Sequence, residues 1–220
     1  MLRNVTLEEI SDGKLYRSND TVKADCQDCK GCSECCRGMD DTVVLDPLDV
    51  HRISVHLQKK PEELLASCFE LGFVDGILLP HMSMKGDDES CVFLNSEGRC
   101  SIHSCRPGYC RMFPLGRYFK DETFYYILQI HECPLKGRTK IKIKKWLDTP
   151  DLKEYEEFVL SWHSFLRDIH ILLSESENET LFDQMNRYIV GRFYVQPYDP
   201  GQNFYEQFKE RLKEGRGLLE

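Results

Sequence analysis

Five of the eleven cysteines of this 220-residue chain fall within the stretch DCQDCKGCSECCRG at positions 25–38. Cys26, Cys29, Cys32 and Cys36 spell C-x2-C-x2-C-x3-C, the spacing of the bacterial ferredoxin run, with Arg37 standing where that run has proline. Several thiolates converge on one small inorganic centre when C-x-x-C turns curl the backbone around it, and Gly31 relaxes the local dihedrals. A regular helix is a poorer carrier, because at about 100° per residue cysteines three apart precess by about 60° at each step. Cys29, Cys32 and Cys36 can share a face; Cys35 then points elsewhere. Adjacent Cys35 and Cys36 are poor chelators of one ion, so the pair implies two sites, or one ligand and one free thiol.

More sulfurs follow. Cys91 and Cys100 sit at opposite ends of an expected hairpin, Cys105 and Cys110 bracket an Arg-Pro turn, and Cys133-Pro134 closes a second hairpin. With the N-terminal run this makes ten candidate metal ligands: Cys26, Cys29, Cys32, Cys35, Cys36, Cys91, Cys100, Cys105, Cys110 and Cys133. Tetrathiolate sites take four each, so ten can fill two sites with two to spare. Cys68, on an expected helix, is most simply a small buried hydrophobe. His103 and His131 lie within three residues of Cys100 and Cys133 and are either ligands, hydrogen-bond donors to ligands, or ordinary surface histidines. Cys32, Cys35, His51 and His56 have too long a loop for a Cys2His2 finger and lack its ββα surroundings.

The composition frames these choices. With 41% hydrophobic residues the chain can build a core without cysteine staples. Its net charge of −8, from 37 acidic and 29 basic side chains, argues against a nucleic-acid partner. The KIKIKK run at 140–145 reads as an amphipathic edge. The opening MLRNVTLEEISDGK lacks the apolar region of a secretory signal, and no apolar run reaches the ~20 residues of a membrane span. The expectation is a cytoplasmic protein without a membrane association, where thiols stay reduced and cysteines serve metals or catalysis more than disulfides.

The elements that must position the cysteines are read from turn and periodicity signals. Val43–Leu45 is an expected strand; Asp46-Pro47 caps a helix to about residue 58, and Pro61 opens another to about Leu71. A strand begins at Gly76. Hairpins are expected around Asn95–Gly98 and Lys120–Thr123, with at most a helical turn at 106–111 between them. From Leu152 to Leu173 the apolar residues step by three and four, the stripe of a long helix, and two further helices carry Met185 with Ile189 and Phe204 with Phe208. The long stripe also permits a dimer, so the oligomeric expectation is monomer or dimer.

Cys29-x-x-Cys32-x-x-Cys35-Cys36, Cys91-Val-Phe-Leu, Gly98-Arg-Cys100-Ser-Ile-His and Arg106-Pro107-Gly-Tyr-Cys110-Arg111-Met-Phe113-Pro114 occur in that order. Together they resemble the YkgJ-type cysteine-cluster family, the CxxCxxCC zinc- or iron-chelating domain, over residues 25–135. The resemblance implies that Cys29, Cys32, Cys35, Cys36, Cys91, Cys100 and Cys110 are metal ligands, framed by Arg106, Pro107, Arg111 and Pro114. Cys26 and Cys133 resemble positions in one branch of the family, and Cys105 stands where an ordinary residue is expected. Flagellin lysine N-methylases carry a similar domain, which implies a connection to protein methylation.

The resulting expectation is an α+β fold: a cysteine-rich metal-binding domain with small antiparallel hairpins over 1–137, followed by a helical subdomain over 138–220. One or two iron–sulfur clusters, of which the [4Fe–4S] type suits four thiolates, are the favoured cofactor, for electron transfer, redox sensing or help to a modifying protein partner. A structural zinc module is the alternative, and metal-free thiol regulation a third. The spacing of radical S-adenosylmethionine enzymes and the glycine-rich nucleotide motifs are absent, and no catalytic residue is nominated.

Overall fold

In the computed structural model, which describes residues 6–26, 32–176 and 178–219, the chain opens with helix α1 (Leu7–Ile10) and strand β1 (Thr21–Asp25). Val22 and Ala24 point inward from β1 while their neighbours face out, the period of a half-buried strand. Helix α2 (Pro47–Leu57) starts as expected: the Asp46 carboxylate accepts from the Asp49 amide at 2.9 Å, and Pro47 fills the first turn. The expected strand at 43–45 reduces to one bridge, Val44 to His81.

Helix α3 (Pro61–Leu65) stops well before Leu71. Residues beyond it enter strand β2 (Phe69–Val74), which pairs antiparallel with β3 (Ile77–Met82) in an unbroken register from Phe69↔Met82 to Val74↔Ile77. The helix expectation fails because Asp75 and Gly76, at φ 51° and 80°, form a two-residue turn that matches the strands' twist. A six-pair ladder outweighs the weaker helical preference of this segment. Gly72 is a strand residue here: a Cβ on it would lie 2.9 Å from His81 Nε2, so glycine admits the ring.

Strands β4 (Met84–Lys85) and β5 (Ser90–Cys91) form a two-residue ladder, and α4 (Gly108–Met112) follows. The expected hairpin at 91–103 is not a strand pair. Its turn forms, with the Asn95 side chain accepting from the Glu97 and Arg99 amides at 3.0 and 2.8 Å, but only Leu94 and Cys100 bridge. Cys91 pairs with Met84 instead, and residues 103–105 wind into a 3-10 turn. The second expected hairpin is present as β6 (Leu115–Lys120) and β7 (Thr123–Leu128). The KIKIKK run divides between β8 (Thr139–Lys142), paired to β1, and α5 (Ile143–Leu147), whose Trp146 indole donates to the Met112 carbonyl at 3.1 Å.

The long stripe is helix α6 (Leu152–Ser174), burying Tyr155, Phe158, Trp162, Phe165 and Ile169. Helix α7 (Glu179–Ile189) runs into a π turn at 190–195, and α8 (Phe204–Arg216) is capped by Asn203. The aromatics are core, as their spacing implied: Trp162 meets Phe193 at 4.9 Å and Phe158 meets Phe208 at 4.6 Å. The architecture is α+β with small antiparallel hairpins and a C-terminal helical region. No helix among the described residues is long and apolar enough to cross a membrane.

The chain divides into two compact units, one of residues 44–82 with 153–220, the other of 2–43 with 83–152. This grouping differs from a single boundary at 137/138, because β3 and α2 are tied to the C-terminal helices. Asn186 accepts from the Leu78 amide at 2.6 Å, and the Tyr194 hydroxyl donates to the Leu45 carbonyl at 3.0 Å. The first unit is called the helical unit and the second the cysteine unit.

Candidate metal centre

Within the cysteine unit, strand pairing brings distant sulfurs together. Residues Glu34–Cys36 form one 3-10 turn, after which Arg37 bridges antiparallel to Ser90 and the Gly38 amide donates to Glu89 at 3.1 Å. An antiparallel register that sets Arg37 opposite Ser90 sets Cys36 beside Cys91. The Leu94–Cys100 bridge then folds Cys100 back toward Cys91, and the Ser101 amide and hydroxyl both hold the Phe93 carbonyl. Arg37 reinforces the register by an ion pair to Asp88 and a hydrogen bond to the Ser90 hydroxyl.

The thiols act on one another. Hydrogen bonding from Cys35 lowers the Cys36 thiol to about 7, helped by the Arg37 and Arg106 charges and opposed by burial. Burial pushes Cys91 up to about 11, Cys36 and Cys100 raise it further, and hydrogen bonds from the Phe93 and Leu94 amides pull it down. Cys100 is raised by burial and by Cys36, against the Ile102 amide and the Arg106 and Arg99 charges. Cys36, Cys91 and Cys100 thus form one electrostatic group with Arg106 beside it. Cys35 and Cys36 are hydrogen-bonded to each other, and the contact favours the Cys36 thiolate.

The arginines separate as well. Arg106 meets the His103 ring and acts on Cys36 and Cys100. Arg111 is buried and donates to the Ser104 and Asp148 carbonyls at 2.8 and 3.2 Å, so it fastens α4 to the turn at 103–105. The remaining candidates are half-buried: Cys26 just past β1, Cys32 before the 3-10 turn, Cys105 at the end of the second such turn, Cys110 on α4 and Cys133 beyond β7. Cys29 lies outside the described residues. Cys68 is buried as a small hydrophobe, and none of the ten described cysteines is in a disulfide. His51 packs against Phe204 and Tyr198, rings at 5.3 and 5.8 Å, in place of any finger-like ligation.

Among the described residues no three His, Cys, Asp or Glu side chains close around a point that would hold a metal ion. The donor set itself fits a thiophilic metal: half-buried thiols paired into one group, amides directed at two of the sulfurs, and a guanidinium to offset anionic charge. Residues that spacing alone did not single out are Asp88 and Ser90, which fix the register; the acidic run DDE before Ser90-Cys91, opposite in charge to Arg37, was the available signal.

No curated protein and no solved structure matches the chain. Residues 28–134 match the CxxCxxCC family model, whose description is "Putative zinc- or iron-chelating domain". That span holds Cys36, Cys91, Cys100 and Arg106, so residues 28–134 form a domain of the CxxCxxCC family.

Proposed function

We propose that the cysteine unit holds an iron–sulfur cluster and serves electron transfer, redox sensing or support of a modifying enzyme. One observation carries this reading: the Arg37–Ser90 bridge joins the end of a ferredoxin-spaced run to Cys91. When bound, such a cluster supplies one-electron chemistry. The chain's own residues set its surroundings. The Phe93, Leu94 and Ile102 amides donate toward sulfur, Arg106 offsets thiolate charge, and Cys35 hydrogen-bonds Cys36. Cys29, Cys32, Cys35, Cys36, Cys91, Cys100 and Cys110 are the first ligand candidates, with Cys26 and Cys133 next and Cys105 last. Anaerobic reconstitution with ferrous iron and sulfide tests it. The expected product is coloured, carries iron and acid-labile sulfide in similar amounts, and bleaches on reduction; colourless protein without either contradicts the reading.

A second reading, a structural zinc module, is favoured by the sparse regular structure near the sulfurs, where β4 and β5 have two residues each and Cys100 only a single bridge. Thiolates that brace such loops contribute folding energy directly. Stoichiometric zinc, transparency in the visible, and loss of the cysteine unit's structure on chelation are its signature.

A further inference from the structure

The helical unit carries a cleft of about 370 Å³ between α2, the start of α3, the π turn and the loop after it. That volume lies within the roughly 300–1,000 Å³ of small-molecule sites. Pro47, Pro61, Pro197 and Pro200 wall it with stiff backbone, and Val50, His51 and Tyr198 add apolar and aromatic surface.

The walls are braced from behind. Buried Arg211 donates to the Arg192, Gln196 and Pro197 carbonyls at 2.8, 2.7 and 2.7 Å and lies 3.6 Å from the centre of the Tyr198 ring. Gln207 accepts from the Asp199 amide at 2.8 Å and donates to its carbonyl at 3.0 Å. The π turn itself, closed by the Gln196 amide on the Gly191 carbonyl at 2.9 Å, is a conformation that recurs at functional sites.

The rim has one sign of charge. Gln58 takes a left-handed conformation at φ 53°, the Lys59 amide returns to the Ser54 carbonyl at 3.1 Å, and Lys59 and Lys60 are delivered to the cleft. In a chain with net charge −8 and 37 acidic residues, no Asp or Glu among the described residues lines this cleft. Glu63, close to Lys60 in sequence, instead accepts from the Lys60 amide at 2.7 Å as a helix cap.

We infer that this cleft binds a small amphiphilic anion, its apolar body against the prolines and Tyr198 and its acid group on Lys59 and Lys60. Charge selects the head and shape selects the body, as in preformed sites generally. The inference is independent of the metal centre.

Fluorescence titration of the full chain with anilinonaphthalene sulfonate, compared with uncharged N-phenylnaphthylamine, tests it. The account expects one saturable site that favours the sulfonate by about tenfold or more, the factor that ~1.4 kcal/mol of lost contact with the acid group corresponds to. Lys59→Glu with Lys60→Glu removes that preference. Val55→Trp, at a cleft position that is 48% exposed and tolerant of change, weakens both dyes by filling the space. Phe73→Ser, at an exposed aromatic away from the lining, leaves binding unchanged. Equal affinity for the two dyes, unchanged binding in the double lysine variant, or loss of binding in Phe73→Ser overturns the proposal. The lysine variants decide the matter even if the tryptophan disturbs folding.

Discussion

Arg37 and Ser90, 53 residues apart in sequence, face each other across an antiparallel bridge, and that pairing sets Cys36 beside Cys91. The Arg37–Asp88 ion pair that accompanies it is 39% and 61% exposed, so its direct stabilisation is at most about 1 kcal/mol. Its consequence is register: a slip of one residue would turn Cys91 to the opposite face.

Arg37→Glu sets like charges against Asp88 and removes a cation from beside Cys36. Metal affinity, read by competition with a chromogenic chelator, falls by about 10–100-fold, the range for residues that support ligands without binding metal. Asp88→Arg placed in the same chain restores part of the loss. Unchanged affinity in Arg37→Glu would show that the bridge does not govern the site.

Asn186→Leu leaves the Leu78 amide without the acceptor it holds at 2.6 Å. A half-buried donor left unmet costs about 1 kcal/mol, toward the low end of the penalty for a fully buried one, so the urea midpoint of the helical unit drops with little change in slope. Metal content of the cysteine unit stays the same.

His51 supplies a pH dependence. Burial, then the Arg52 and Arg211 charges, lower its folded value below the usual 6.5, while Tyr198 and Phe204 pack its faces. The unfolded chain therefore binds more protons as pH falls below about 6.5, and the native state loses stability there until the folded value is passed. His51→Phe keeps the packing and removes the proton. Denaturation midpoints at pH 7.5 and pH 5 fall less on acidification in the variant than in the parent; parallel losses would assign the acid sensitivity elsewhere.

The sequence made some elements legible through strictly local signals. Asp46 and Asn203 cap α2 and α8 with their own side chains, and the three-four stepping of α6 needs no distant partner. The segment at 66–74 was opaque because proline and glutamates announce a helix, while the pairing that overrides it comes from Ile77–Met82. Asp75-Gly76 was the available cue. The site divides the same way: cysteine identity and spacing are written in the sequence, but the approach of Cys36 to Cys91 depends on a bridge between distant segments. Arg106 and Arg111 look alike on paper, and only the carbonyls around Arg111 assign it to structure.

The most direct measurement is the iron and acid-labile sulfide content, by native mass spectrometry after anaerobic reconstitution, of the parent chain, Cys91→Ser, Cys100→Ser and Cys68→Ser. The account predicts a full cluster in the parent and in Cys68→Ser, whose sulfur is core, and a severe loss in the other two. Full cluster occupancy in both Cys91→Ser and Cys100→Ser, or a parent chain that takes up zinc and never iron with sulfide, would contradict it.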